Sequence, residues 1–172
     1  MTLRSRHLTM LAFIIVTAVT TAVARAPQGV PDDFVITIER TPCYLQCPVY
    51  SVSIDARGGV TYEGTRFVRV KGRQVDRVPV LRVAVLYETL QRIGLFDLRD
   101  QYRVVRAADG SEATLTDLPG TIVTVTAGGR TKRIEDYFGA PGSLKALDRQ
   151  VEEISRASRW VAPVVQQFTG LQ

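Results

Sequence analysis

Phe34, Ile36 and Ile38 fall at every second position, and Tyr50, Val52 and Ile54 repeat that period against Ser51, Ser53 and Asp55. A period of two turns one face of a strand toward a core and the other toward water, so both runs predict half-buried antiparallel strands. Asp55-Ala56-Arg57-Gly58-Gly59 reads as a hairpin turn whose glycines take positive φ. It leads into a strand from Val60 and an extended ribbon through Val70. The period then becomes helical: Val83, Leu86, Leu90 and Ile93 recur at i, i+3, i+7 and i+10 behind Pro79. Gly94 fits the position just past a helix end, with Leu95 and Phe96 folding back beyond it.

The second half repeats this plan on a smaller scale. Val123 and Val125 alternate with Thr124 and Thr126, Gly128-Gly129 turns the chain, and Arg130 to Phe138 returns it. Pro141 and Ser143 then open a helix carrying Leu144, Leu147, Val151 and Ile154. The recurrence predicts an α+β fold: an antiparallel sheet built from two strand/hairpin/helix halves, with the helices packed on one face. Between the halves, Arg103 to Pro119 is a polar loop without periodicity, of a length often given to function. The expected organisation is a signal peptide over residues 1–24, a linker over 25–32, one domain over 33–159 and a tail over 160–172. In the tail, Trp160, Val161, Val164, Val165 and Phe168 form an apolar segment expected to dock on the core.

The leader fixes the expected compartment. Arg4, Arg6 and His7 precede an apolar run from Leu8 to Val23 broken by four threonines, and Ala22-Val23-Ala24 supplies a small-x-small cleavage pattern. Cutting after Ala24 keeps Pro27 away from the scissile bond. The run falls short of the roughly 17 to 25 residues a spanning helix needs, and no later segment is apolar enough to span. The protein is therefore expected to be exported, periplasmic or secreted, without a membrane span after cleavage. The leader holds two of the 22 basic residues and no acid, so the net charge falls from +5 to +3 on its removal.

Composition excludes whole chemistries. The only histidine is His7, both methionines lie in the leader, and asparagine does not occur. Without histidine the processed chain has no Ser-His-Asp or Cys-His nucleophile pair, no His-bearing metal site, and no side chain that titrates unperturbed near neutral pH. Neither a cofactor nor a metal is expected. Cys43 and Cys47, the only cysteines, are expected to pair in an oxidising compartment, stapling a loop of five residues between Pro42 and Pro48. A redox dithiol is the functional rival, but such pairs favour Cys-x-x-Cys at a helix start, whereas strands flank this one.

The residues around that loop carry a resemblance. Glu39-Arg40-Thr41-Pro42-Cys43, Cys47-Pro48-Val49-Tyr50-Ser51-Val52, Tyr62-Glu63-Gly64, Gly94-Leu95-Phe96-Asp97-Leu98, Thr116-Asp117-Leu118-Pro119 and Lys132-Arg133-Ile134 resemble a family of exported bacterial proteins known only as a domain of unknown function. Its most specific element is Cys-x3-Cys-Pro-x-Tyr after a first strand; Leu45 departs from it, where such proteins often carry glycine. The resemblance implies no activity.

Two candidate chemistries follow. Arg66, Arg69, Lys71, Arg73, Arg77 and Arg82 fall within 17 residues opposed only by Asp76, and in an extended strand Arg69, Lys71 and Arg73 share a face opposite Val68 and Val70. Such a stripe protects an edge strand from aggregation or binds an anionic partner. An envelope component or an acidic protein fits it. Nucleic acid does not, because no stacking aromatics accompany the stripe. Asp97, Asp100, Asp109, Glu112, Asp117, Glu135 and Asp136 are the acids that would have to converge for a histidine-free hydrolase. The favoured expectation is a non-catalytic binding or interaction module of the cell envelope acting through Arg66, Arg69, Lys71 and Arg73 or the loop before Pro119; the alternative is a carboxylate hydrolase.

Overall fold

The computed structural model describes residues 29–106, 108–114 and 118–161. The expected signal peptide, residues 25–28 of the expected linker, Asp117 and the expected tail beyond Val161 lie outside the described residues. Strands β1 (Val35–Arg40), β2 (Val49–Asp55), β3 (Gly59–Arg66) and β4 (Gly72–Arg77) form a meander followed by helix α1 (Val80–Arg92). A 3-10 turn at Leu95–Asp97 leads to β5 (Gln101–Tyr102) and a small hairpin of β6 (Val104–Arg106) and β7 (Glu112–Thr114). The hairpin of β8 (Thr121–Ala127) and β9 (Arg130–Asp136), helix α2 (Gly142–Ser155) and a 3-10 turn at Ala157–Arg159 complete the fold.

The main sheet runs β4-β3-β2-β1-β8-β9-β5. The fold is α+β as its periodicity predicts, with two refinements. β5 joins β9 in parallel, making the sheet mixed, and the segment expected to be a plain loop contains the β6–β7 hairpin. Two-residue and three-residue strands are too short to carry a readable period.

Register explains the core. Ile36 faces Ile54 and Val125 across the strands, Ile38 faces Val52 and Val123, and Val123 faces Ile134. All are fully buried and lie on one face, closed by Val83, Leu86 and Leu90 of α1 and by Leu144, Leu147 and Val151 of α2. Each such side chain contributes roughly 1.5–3 kcal/mol by leaving water. Both helices therefore pack on the same side. The other face carries Thr37, Ser51, Ser53, Thr61, Thr124 and Thr126, and no helix among the described residues covers it.

The expected ribbon through Val70 is corrected. β3 stops at Arg66, residues 67–71 turn, and β4 returns beside β3 as the sheet edge. Three contacts force the turn. The Tyr62 hydroxyl donates to the Val70 carbonyl at 3.2 Å, the Val70 amide donates to the Trp160 carbonyl at 3.0 Å, and the Trp160 ring stacks on Tyr62 at 5.0 Å. Gly64 makes the fit possible, because a Cβ there would stand 2.2 Å from the Val70 oxygen. Trp160 thus packs on the core as expected. Pro79 and Pro141 sit one residue before their helices, and Gly94 takes φ 61° just beyond α1.

Candidate functional site

Strand direction gathers the candidate segments at one end of the sheet. β1, β3, β5 and β9 finish there, and β2, β4 and β8 start there. The cysteine loop, the β3–β4 turn, the β6–β7 hairpin and the connection from β9 to α2 therefore all leave from this loop end.

Arg66 closes β3, Arg69 and Lys71 lie in the turn, and Arg73 lies in β4. All four are exposed, but they do not line one extended strand face, because residues 67–71 turn. They form a cationic tip instead. The Arg69 guanidinium donates to the Arg159 carbonyl at 3.4 Å, and no salt bridge joins any of the four to a described carboxylate. Asp76, the acid that follows these cations in β4, is held by Arg156 at 2.6 Å and by Arg159. Its carboxyl lies below the ordinary value through a backbone hydrogen bond from Arg77, with Arg159 and Arg156 adding to the effect against desolvation. Within the turn, Phe67 has φ 53° and is 45% exposed, with the Arg66 guanidinium 5.9 Å from its ring centre.

Cys43 and Cys47 form a disulfide with a Cα–Cα distance of 5.7 Å, and no free cysteine remains. The loop is moored at its base, where the Thr41 amide donates to the Gly120 carbonyl and the Gly120 amide donates to Thr41 Oγ1, both at 3.0 Å. Its tip is open to solvent, with Tyr44 83% and Leu45 74% exposed. Among the described residues no three His, Cys, Asp or Glu side chains gather as a metal site.

Beside this loop lies an open cleft of about 250 Å³ lined by Arg40, Thr121, Asp136, Lys145, Asp148 and Arg149. Arg40 is held from two sides: it donates through Nε to Glu152 Oε1 at 2.9 Å and through a second nitrogen to Thr121 Oγ1. Tyr50 donates to the same Glu152 oxygen at 2.5 Å, and burial together with that bond raises the phenol above its usual value. Asp148 is 3% exposed, and its Oδ1 has no hydrogen-bond partner among the described residues. Burial raises its carboxyl to about 7, with Asp136 and Glu152 pushing the same way and Arg40 and Arg149 opposing. Burial also raises Asp136, against Lys145, an Ala140 backbone hydrogen bond and Arg40.

Of the seven acids singled out by sequence, the six described ones do not converge. Asp97 is exposed in the turn after α1, Asp100 pairs with Lys132 at 2.5 Å, and Asp109 accepts from the Ser111 amide at 2.9 Å. Glu112 lies in the exposed β6–β7 hairpin, Glu135 pairs with Arg133 at 2.5 Å, and only Asp136 lines the cleft beside Asp148. Sequence reasoning passed over Asp148, Glu152 and Arg40. The signal was present in α2: Asp148 follows Leu144 by four and precedes Val151 by three, which puts a charge on the buried stripe.

Fold and loop end together define a small α+β domain stapled by one disulfide, with a cationic tip and a polar cleft. The chain belongs to the family described as a domain of unknown function, DUF6438, which matches residues 34–155 and so takes in both cysteines, the cationic tip, Asp136, Asp148 and Glu152. No curated protein and no solved structure matches the chain.

Proposed function

We propose that this protein is an exported, non-catalytic binding module of the cell envelope, which holds an anionic partner at the loop end of its sheet. The observation that carries the reading is that Arg66, Arg69, Lys71 and Arg73 are exposed without a salt bridge to a described carboxylate, while Asp76 is held by Arg156 and Arg159 and Glu63, opposite Arg73, is the one acid paired across the strands with any of them. Cations left exposed and unpaired raise the local concentration of anions and speed their capture. The export half of the reading rests on the leader: the protein recovered from the periplasm or medium should begin at Arg25 and contain no free thiol. The binding half is tested with a soluble polyanion such as dextran sulfate. Replacing the four cations by Ser should lower affinity by about tenfold or more and flatten its salt dependence, since each Lys or Arg near an anionic surface is worth about 1 kcal/mol. Equal affinity of the variant and the native protein would remove the reading.

One observation favours a second reading, a histidine-free hydrolase. Asp148 titrates near neutrality beside Asp136, and a carboxyl with that property serves as a proton donor. Turnover of a glycoside or peptide substrate that disappears in Asp148→Asn would establish it; failure of the native protein to turn over envelope polymers would leave binding as the function.

A further inference from the structure

We infer that the loop end of the sheet docks on an anionic lipid bilayer, with Tyr44, Leu45 and Phe67 entering the interfacial layer and Arg66, Arg69 and Lys71 lying against the headgroups. This rests on the binding reading above and names its partner.

Register places the two tips side by side. Val49, the first residue after the cysteine loop, pairs with Arg66, the last residue before Phe67, so the loop and the turn leave adjacent ends of neighbouring strands. Leu118 and Phe138, 40% and 43% exposed, continue the row where β8 starts and β9 ends. A soluble polymer gives these apolar side chains nothing to do. A bilayer gives each part of the row a place: apolar side chains in the headgroup boundary, Tyr at the interface and cations on anionic lipid.

Two features of the backbone point the same way. Phe67 stays in the left-handed region at φ 53°, where a bulky residue is uncommon and glycine is at ease, yet its ring remains substantially in water. The Cys43–Cys47 bond holds Tyr44 and Leu45 out at the tip, so little order has to be gained on docking. Glu63, opposite Arg73 on the uncovered face, is the nearby acid that the cations must outweigh.

The test is co-sedimentation of the protein, purified after export, with vesicles of phosphatidylglycerol and phosphatidylcholine, alongside binding to dextran sulfate. Tyr44→Ser/Leu45→Ser/Phe67→Ser should bind vesicles about tenfold more weakly or worse while binding dextran sulfate within about twofold of the native protein. Phe67→Gly, which relieves the positive φ of the turn, serves as the second variant and should also lose vesicle affinity. Undiminished vesicle binding by both apolar variants would overturn the docking and leave the anionic-partner reading standing. So would native protein that holds dextran sulfate but ignores vesicles, an outcome pointing to a polymer or protein partner. Loss of both ligands by the native protein would remove the reading itself.

Discussion

Asp148 stands in surroundings that oppose its charge. Arg40 from β1 and Arg149 on its own helix draw it toward the carboxylate, but burial, Asp136 from β9 and Glu152 prevail. An acid whose folded value lies at about 7, against an ordinary 3.8, withdraws stability as pH rises between those values and keeps the full cost above them. Asp148→Asn should therefore raise stability at pH 8 by roughly 3–4 kcal/mol, and the gain should vanish near pH 4. Denaturant unfolding at both pH values measures it; a gain that does not depend on pH would mean that Asp148 is not held near neutrality. Phe67 is the second residue under local stress. Phe67→Gly should stabilise the fold by about 1 kcal/mol, because glycine accepts a positive φ without a Cβ penalty. A thermal melt reads that gain. Stability and docking are thus predicted to move in opposite directions at one position.

At the scale of elements, the long strands and both helices were legible because their apolar positions repeat over enough residues to declare a period. The β3–β4 turn was not. Val68 and Val70 continue the alternation of β3, and no glycine marks the reversal until Gly72; the Tyr62 hydroxyl and Trp160, some ninety residues on, supply the contacts that bend the chain, and neither is marked in the local pattern. β5 escaped notice for a different reason, since its pairing depends on the Asp100 and Tyr102 carbonyls receiving the Glu135 and Tyr137 amides rather than on side-chain pattern. The cysteine loop was legible as a staple, and its energetic role follows from its size. Closing five residues restricts the unfolded chain by about 2 kcal/mol, and the Thr41–Gly120 hydrogen bonds hold the loop base without it. Cys43→Ser/Cys47→Ser should accordingly lose about 2 kcal/mol in denaturant unfolding with its far-ultraviolet circular dichroism unchanged. Loss of the folded signal would mean that the bond organises the β1–β2 crossover rather than trimming its freedom.

For the whole molecule, the loop end could not be read from the chain because it is assembled from stretches far apart in sequence, among them residues 40–50, 66–73, 118–121 and 136–152. Only strand direction brings them together. The last of these stretches also leads to a control on the first cationic one. After α2 the chain returns beneath the β3–β4 turn, where the Trp160 ring stacks on Tyr62, the Trp160 carbonyl accepts from Val70, and the Arg159 carbonyl accepts from Arg69. Arg156 and Arg159 meanwhile grip Asp76 at the sheet edge. Two substitutions should therefore act on anion binding with opposite signs, although neither residue belongs to the cationic tip. Asp76→Ala removes the acid and releases two more guanidinium groups beside the tip, so affinity for an anionic surface should rise and become steeper in salt. Trp160→Ala removes a buried ring and should cost about 3–5 kcal/mol, and the β3–β4 turn, having lost its support, should present Arg66, Arg69 and Lys71 less firmly. Affinity should then fall at temperatures where the variant is still folded. Salt-dependent binding measured beside a thermal melt separates the two effects. If Asp76→Ala and Trp160→Ala both left affinity unchanged, charge and placement at this turn would have no part in recognition, and the anionic partner would have to be held by the cleft around Lys145 and Arg149 instead.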